Sequence, residues 1–252
     1  AERYDGTLDD VFVLQDKVTE KIIAALAVQL TPSEVALGAD RETENPRAHD
    51  AFLRGWSFYI RSSPQDFAEA IPHFERAVAL DPEYGRAFAA LASIYLTASI
   101  RLWKAELGLT PDDAREKGLS HLQSALRNPT PLAHQVMSAY AIEQGDHDRA
   151  LAEAERAIAL NPNDPDGISA KGRALIFAGS AAEGESFVRR AMRLNPSHPV
   201  EYLFYLGMGQ YFQGKNGGAI ATLEHAQGLS PEHRGILTFL VAAYGQSAEA
   251  KK

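Results

Sequence analysis

The chain has no cysteine among its 252 residues. No disulfide framework and no thiolate zinc site can therefore be built, although this absence leaves the compartment open. Positive charge is also scarce: 25 lysines and arginines face 33 aspartates and glutamates, a formal charge of −8. A nonspecific nucleic-acid binder needs basic surface to displace counterions, so the balance argues against that class. No run approaches the roughly 18 apolar residues of a membrane span, and no basic-then-apolar signal pattern opens the chain, so no direct membrane insertion is expected. The compartment is not assigned: the cytoplasm is favoured over the periplasm, which a membrane-anchored parent would allow. The eight histidines show no HExxH or comparable ligand spacing. Asp146-His147-Asp148 reads as a solvated turn, and no metal, cofactor or catalytic residue is assigned.

What the chain does have is a repeated unit. Arg149 to Pro162, RALAEAERAIALNP, recurs in variant form at Ala70 to Pro82, Gly184 to Pro196 and Ala219 to Pro231. Ala150, Ala154 and Ala157 share one face of a helix, and their small side chains let a second helix come close. Asn161, before Pro162, is biased away from helical angles, so helix and turn alternate in a fixed rhythm. Pro162, Pro196 and Pro231 are separated by 34 and 35 residues, the period of a helix-turn-helix solenoid.

On these residues the sequence resembles the tetratricopeptide repeat (TPR) family, whose pattern sets a small residue in the first helix, small, large and small residues in the second, then proline. Gly172, Gly179, Ala191 and Pro196 match in the fourth copy, with Gly184 where alanine is usual. Leu206, Gly207, Gly214, Ala219, Leu223, Ala226 and Pro231 match in the fifth. The resemblance implies an all-α fold, a right-handed superhelix or α-solenoid, over residues 47–252: about five repeats and a sixth first helix. In the second repeat the first helix is expected to run from Gly85 to about Glu106, its extra turns carrying Arg101, Trp103 and Lys104.

Residues 1–46 read as an N-terminal helical segment that links to or caps the array. A helix from Leu8 to about Leu30 carries an apolar stripe of Val11, Leu14, Val18, Ile22 and Leu26. Thr31 to Glu34 reads as a second cap, and the polar run 39–46 as a linker. AERYDGTLDDVFVLQDKVTEKIIAAL resembles the stretch that precedes the repeats in bacterial proteins joining a class III adenylate/guanylate cyclase domain, or a winged-helix regulator domain, to a TPR array. That resemblance implies a regulatory region of a signalling protein, so the chain is expected to be a piece of a longer one.

In the family, positions 2, 5, 9 and 12 of each first helix line the concave surface. Carried over, they give Phe52, Trp56 and Tyr59 in repeat one, Leu96 in repeat two, and Ile142 with Gln135 in repeat three. Arg173 and Ile176 follow in repeat four, then Phe204, Met208 and Tyr211 in repeat five. This largely apolar and aromatic set suits a protein or peptide partner with an apolar helix; the competing reading is that each residue packs between repeats. The N-terminal stripe is expected to dock in cis, as a cap or as an occupant of that surface. Self-association into a homodimer, or a place in a TPR-containing transcriptional regulator, are the alternatives. Gly209 to Asn216 imitates a phosphate loop, but Asn216 stands where a hydroxyl would hold magnesium and no strand precedes it.

Overall fold

Residues 11–26, 42–101 and 104–249 are described by a computed structural model, and among them all regular structure is helical. Trp103, the Thr31 cap and the expected short helix after it lie outside the described residues. The chain divides into two compact units, residues 1–133 and 134–252.

The first unit begins with α1 (Val11–Leu26) and then builds antiparallel helical pairs: α2 (Pro46–Tyr59) with α3 (Pro64–Leu80), and α4 (Gly85–Arg101) with α6 (Pro111–Ala125). The four-residue α5 (Lys104–Leu107) precedes α6; the two residues between Arg101 and Lys104, across which the expected first helix would run on to Glu106, lie outside the described residues. Side-chain caps explain where these helices start. Asn45 accepts from the amides of Arg47 and Ala48, and Ser63 accepts from that of Asp66. Thr110 and Asp113 form a reciprocal box, each satisfying a donor that a helix end leaves unpaired. Phe52, Phe74, Tyr84, Leu91 and Ile94 pack into one core with Ala70 and Ala77.

The second unit holds most of α7 (Pro131–Glu143), α8 (His147–Leu160), α9 (Pro165–Phe177), α10 (Ala181–Leu194), α11 (Val200–Phe212), α12 (Asn216–Leu229) and α13 (Arg234–Glu249). Gly145, Gly179 and Gly214 sit at φ +73°, +89° and +71°. Each closes the first helix of its repeat in the left-handed conformation that only glycine adopts without strain. The alanines that announced the repeat, Ala150, Ala154 and Ala157, are wholly buried, as are their counterparts Val188 and Ala191, and Ala219, Leu223 and Ala226. α9 and α10 cross closely, so that a Cβ on Gly184 would lie 2.5 Å from the Gly172 carbonyl oxygen. Small residues at this period are what allow one hairpin to form per repeat.

Candidate functional site

In the first unit Phe52, Trp56 and Tyr59 follow one another along a single face of α2. Phe52 is buried, with its ring 5.4 Å from Phe74 and 5.2 Å from Tyr84. Trp56 and Tyr59 are half-buried and stacked at 4.8 Å, and the Tyr59 hydroxyl is 2.8 Å from Ser93 Oγ on α4. Arg86, on the first turn of α4, lays its guanidinium 4.7 Å above the Trp56 ring and 5.3 Å from Phe52. Its Nη1 pairs with Glu42 at 3.4 Å. This arginine was not legible in the motif, because it sits 30 residues from the ring it covers. Leu96 is buried beneath α6, where a Cβ on Gly118 would come within 2.8 Å of its Cγ. Burial lowers the His49 pKa, Arg86 adds to that effect, and Asp50 opposes both.

The N-terminal helix meets this unit through Phe12, whose ring lies 5.3 Å from that of His49, and through Gln15 Nε2 at 3.5 Å from His49 Nε2. Leu14 and Val18 are half-buried while Ile22 is 53% exposed. The side chains of Val11 and Leu26 lie outside the described ones. Within the polar run 39–46, the described residues are tied down. Thr43 donates to the Asp81 carboxylate, and Asn45 Nδ2 donates to the Leu80 carbonyl at 2.9 Å.

In the second unit Ile176 and Met208 are buried together with Ile168, Val188 and Leu206. Both pack between successive repeats, since α11 lies against the α9–α10 hairpin. Ile142 is half-buried beside Ala141, Ala150 and Ala174. Arg173 is also half-buried. Its Nη1 donates to the Tyr205 hydroxyl at 3.1 Å and its guanidinium lies 5.4 Å from that ring's centroid. Phe204 touches His233 and Phe239 at 5.0 and 5.8 Å. Tyr211 meets Phe239 edge-on at 5.5 Å and accepts a hydrogen bond from Gln246 at 2.9 Å. Beside it Phe212 is 52% exposed.

Tyr205, Phe212 and Phe239 complete this aromatic surface, although the carried-over positions do not include them. A signal for Tyr205 existed: in the 35-residue register set by Gly172 and Gly207 it replaces Ala170, a large residue where the preceding copy has a small one. Polar groups fix the same helices. Asp164 caps α9 and accepts from Gln135 at 2.5 Å, with its pKa raised by burial and by nearby Asp166. Tyr202 donates to Asp166 at 2.6 Å, and burial, then the Asp166 charge, push its hydroxyl pKa far up. Among the described residues no three histidines or carboxylates are grouped as a metal would need. The Gly209 to Asn216 segment is the end of α11, a turn and the first residue of α12.

Residues 65–107 and 141–202 each match a family model described as tetratricopeptide repeat. The chain is 34% identical over 158 residues to "Putative adenylate cyclase 3" of Rhizobium meliloti, covering 62% of this chain and 26% of that protein. It is 28% identical over 172 residues to human "Protein O-mannosyl-transferase TMTC1", covering 67% of this chain and 18% of that one. The chain thus spans about a quarter or less of the length of these relatives. Among solved structures it resembles a thermophilic TPR protein of Thermus thermophilus, with TM-score 0.54 and 18% identity over 78% of this chain and 98% of that one. It also resembles Pseudomonas aeruginosa pilF, with TM-score 0.50 and 14% identity over 83% and 100%.

Proposed function

We infer that this chain, an all-α array of tetratricopeptide repeats, is a non-catalytic protein-interaction region of a larger bacterial signalling protein whose enzyme is an adenylate or guanylate cyclase. The partner lays an apolar helix against the aromatic residues of the first helices. The observation that carries this reading is the half-exposed aromatic surface in each unit: Trp56 and Tyr59 in one, Phe204, Tyr205 and Tyr211 with exposed Phe212 in the other. Such clustered apolar surface marks a binding site more often than it is left idle. Phe52, Leu96, Ile176 and Met208, being buried, set the spacing of that surface instead of touching the partner. The cyclase context is supported by the Rhizobium relative.

Affinity in such an interface concentrates in a few aromatic anchors. Trp56→Ala or Tyr211→Ala should weaken an amphipathic helical peptide selected against the wild-type chain by about 1–3 kcal/mol while leaving the helical spectrum intact. Undiminished binding in both variants removes this reading. The isolated chain, assayed for cyclic nucleotide production from ATP and GTP, should form none; turnover would overturn the non-catalytic role.

In this reading α1 caps the first hairpin, supported by its Phe12 contact with His49. Deleting residues 1–38 should then lower stability, whereas α1 as an occupant of the peptide surface would give increased peptide binding after deletion. Self-association is the second reading, favoured by α13, where Val241 and Tyr244 are exposed on the outer face. Sedimentation over a wide concentration range distinguishes it, a constant monomer mass ruling it out.

A further inference from the structure

A depression of about 290 Å³ lies beside the C-terminal half of α10 and the turn that follows, lined by Arg189, Met192, Arg193, Pro196 and His198. Its lining includes two arginines and a histidine, and no carboxylate. This is unusual in a chain of net charge −8: residues 186–200 contain three arginines and neither aspartate nor glutamate. The depression has room for one or two side chains, as a water molecule takes about 30 Å³.

Three of the lining residues are held by separate interactions. Arg189 pairs with Glu185, Nη2 to Oε1 at 2.7 Å, and this fixes its stem. His198 stacks on Tyr202 with ring centroids 5.5 Å apart and 6° between planes, and its Nδ1 lies 3.0 Å from the Pro199 carbonyl oxygen. Met192 packs down onto the core shared by α10 and α11 and so forms an apolar floor. Arg193, in the last turn of α10, is exposed and has no carboxylate partner among the described residues. A basic residue there complements the negative end of the helix. That accounts for its position in the sequence, but not for the apolar side chains of Met192 and Pro196 beside it in the same depression.

We propose that this depression binds an acidic segment of a protein partner, with a carboxylate side chain on the Arg193 guanidinium and a neighbouring apolar side chain on Met192 and Pro196. A guanidinium fork matches a carboxylate with two parallel hydrogen bonds. A free inorganic anion would leave the apolar floor unused, and a nucleic-acid backbone needs several unpaired cations to release its counterions, whereas Arg189 is already paired with Glu185. The proposal rests on the chain being a protein-interaction region but not on the first-helix surface, since the depression belongs to a second helix.

The test is titration of the ¹⁵N-labelled chain with an acetylated, amidated peptide alternating glutamate and leucine. Backbone amides of the non-proline residues between 189 and 198 should shift in a saturable manner. The glutamine-leucine counterpart, and the Arg193→Glu variant with the original peptide, should each bind at least about fivefold more weakly, as expected for one exposed charge-assisted contact. Reversing the charge at the negative end of α10 should lower the thermal midpoint slightly, so Arg193→Gln and the glutamine peptide separate binding from stability. Equal affinity for the glutamine peptide overturns the proposal, as does the absence of any shift at millimolar peptide. Equal shifts with inorganic phosphate reduce the site to a free-anion site, and tighter binding of oligothymidine reassigns it to nucleic acid; either result defeats the proposal. Tyr211→Ala should leave these shifts unchanged. If it abolishes them the probe sits on the first-helix surface, and if the helical peptide still binds there while this probe fails, only the present inference falls.

Discussion

Gly184→Ala should destabilise the protein, even though alanine is the residue the repeat pattern favours at this position and a better helix former. A Cβ built on Gly184 lies 2.5 Å from the Gly172 carbonyl oxygen and 2.6 Å from Ile176 Cγ1. A carbon needs about 3.3 Å from a carbonyl oxygen, so α9 and α10 must part by roughly 0.8 Å. The obstacle is backbone on one side and a buried isoleucine on the other, neither of which can rotate away. Overpacking typically costs about 1–3 kcal/mol, and an immovable neighbour places this case at about 2–3. Replacing a helical glycine by alanine returns about 1 kcal/mol, leaving a net loss of about 1–2. For a chain of this size that lowers the thermal midpoint by about 2–8 °C. Gly228→Ala is the matched control. It lies in α12 with nothing within 4 Å of its would-be Cβ, so the same substitution should stabilise by about 0.5–1 kcal/mol. Circular dichroism during urea and thermal unfolding reads both. The reasoning fails if Gly184→Ala is as stable as the parent, because the crossing would then have slack that the geometry denies.

Gly179→Ala forces a side chain into φ +89° and should cost about 1–2 kcal/mol by the same melts, without any clash to explain it. Arg86→Ala uncovers Trp56, so in a Trp103→Phe background the emission should shift to the red, with about 1 kcal/mol of stability lost with the cation–π contact. Glu185 supplies a pH dependence. Burial pushes its carboxyl up, but hydrogen bonds from Lys215, Arg189 and Gln213 more than offset this and leave the folded-state pKa lowered. Its stabilising share is therefore full above the unfolded value of about 4.3 and is lost as pH falls through the lower folded value. Unfolding curves from pH 7 to acid should show wild type and Glu185→Gln converging in this window; a constant gap would show that the carboxylate's charge contributes nothing.

Most of the scaffold was legible in the chain itself. Ala150, Ala154 and Ala157, the glycines that end the first helices and the spaced prolines are local signals, each needing only the residues within one or two turns to impose a close approach or a left-handed turn. Their burial and positive φ angles follow from that chemistry. The candidate surface was legible only in part. Carrying positions 5, 9 and 12 across the repeats located Trp56, Tyr59, Arg173, Phe204 and Tyr211 at half-exposed places, yet the same rule selected Leu96, Ile176 and Met208, which are buried.

The sequence by itself thus determined the helices, their turns and the faces that meet within a hairpin, because those depend on periodicity and on side-chain size at short range. Only the tertiary structure decided which first-helix residues remain on the surface, since Met208 reaches solvent or core according to how closely Ile176 of the preceding repeat approaches it. It alone also brought Arg86 over Trp56, Tyr205 onto Arg173, and His198 into one depression with Arg193. The first two meetings are set by how one hairpin packs on the next, and the third by the path of the turn after α10. No motif within a single helix records these geometries.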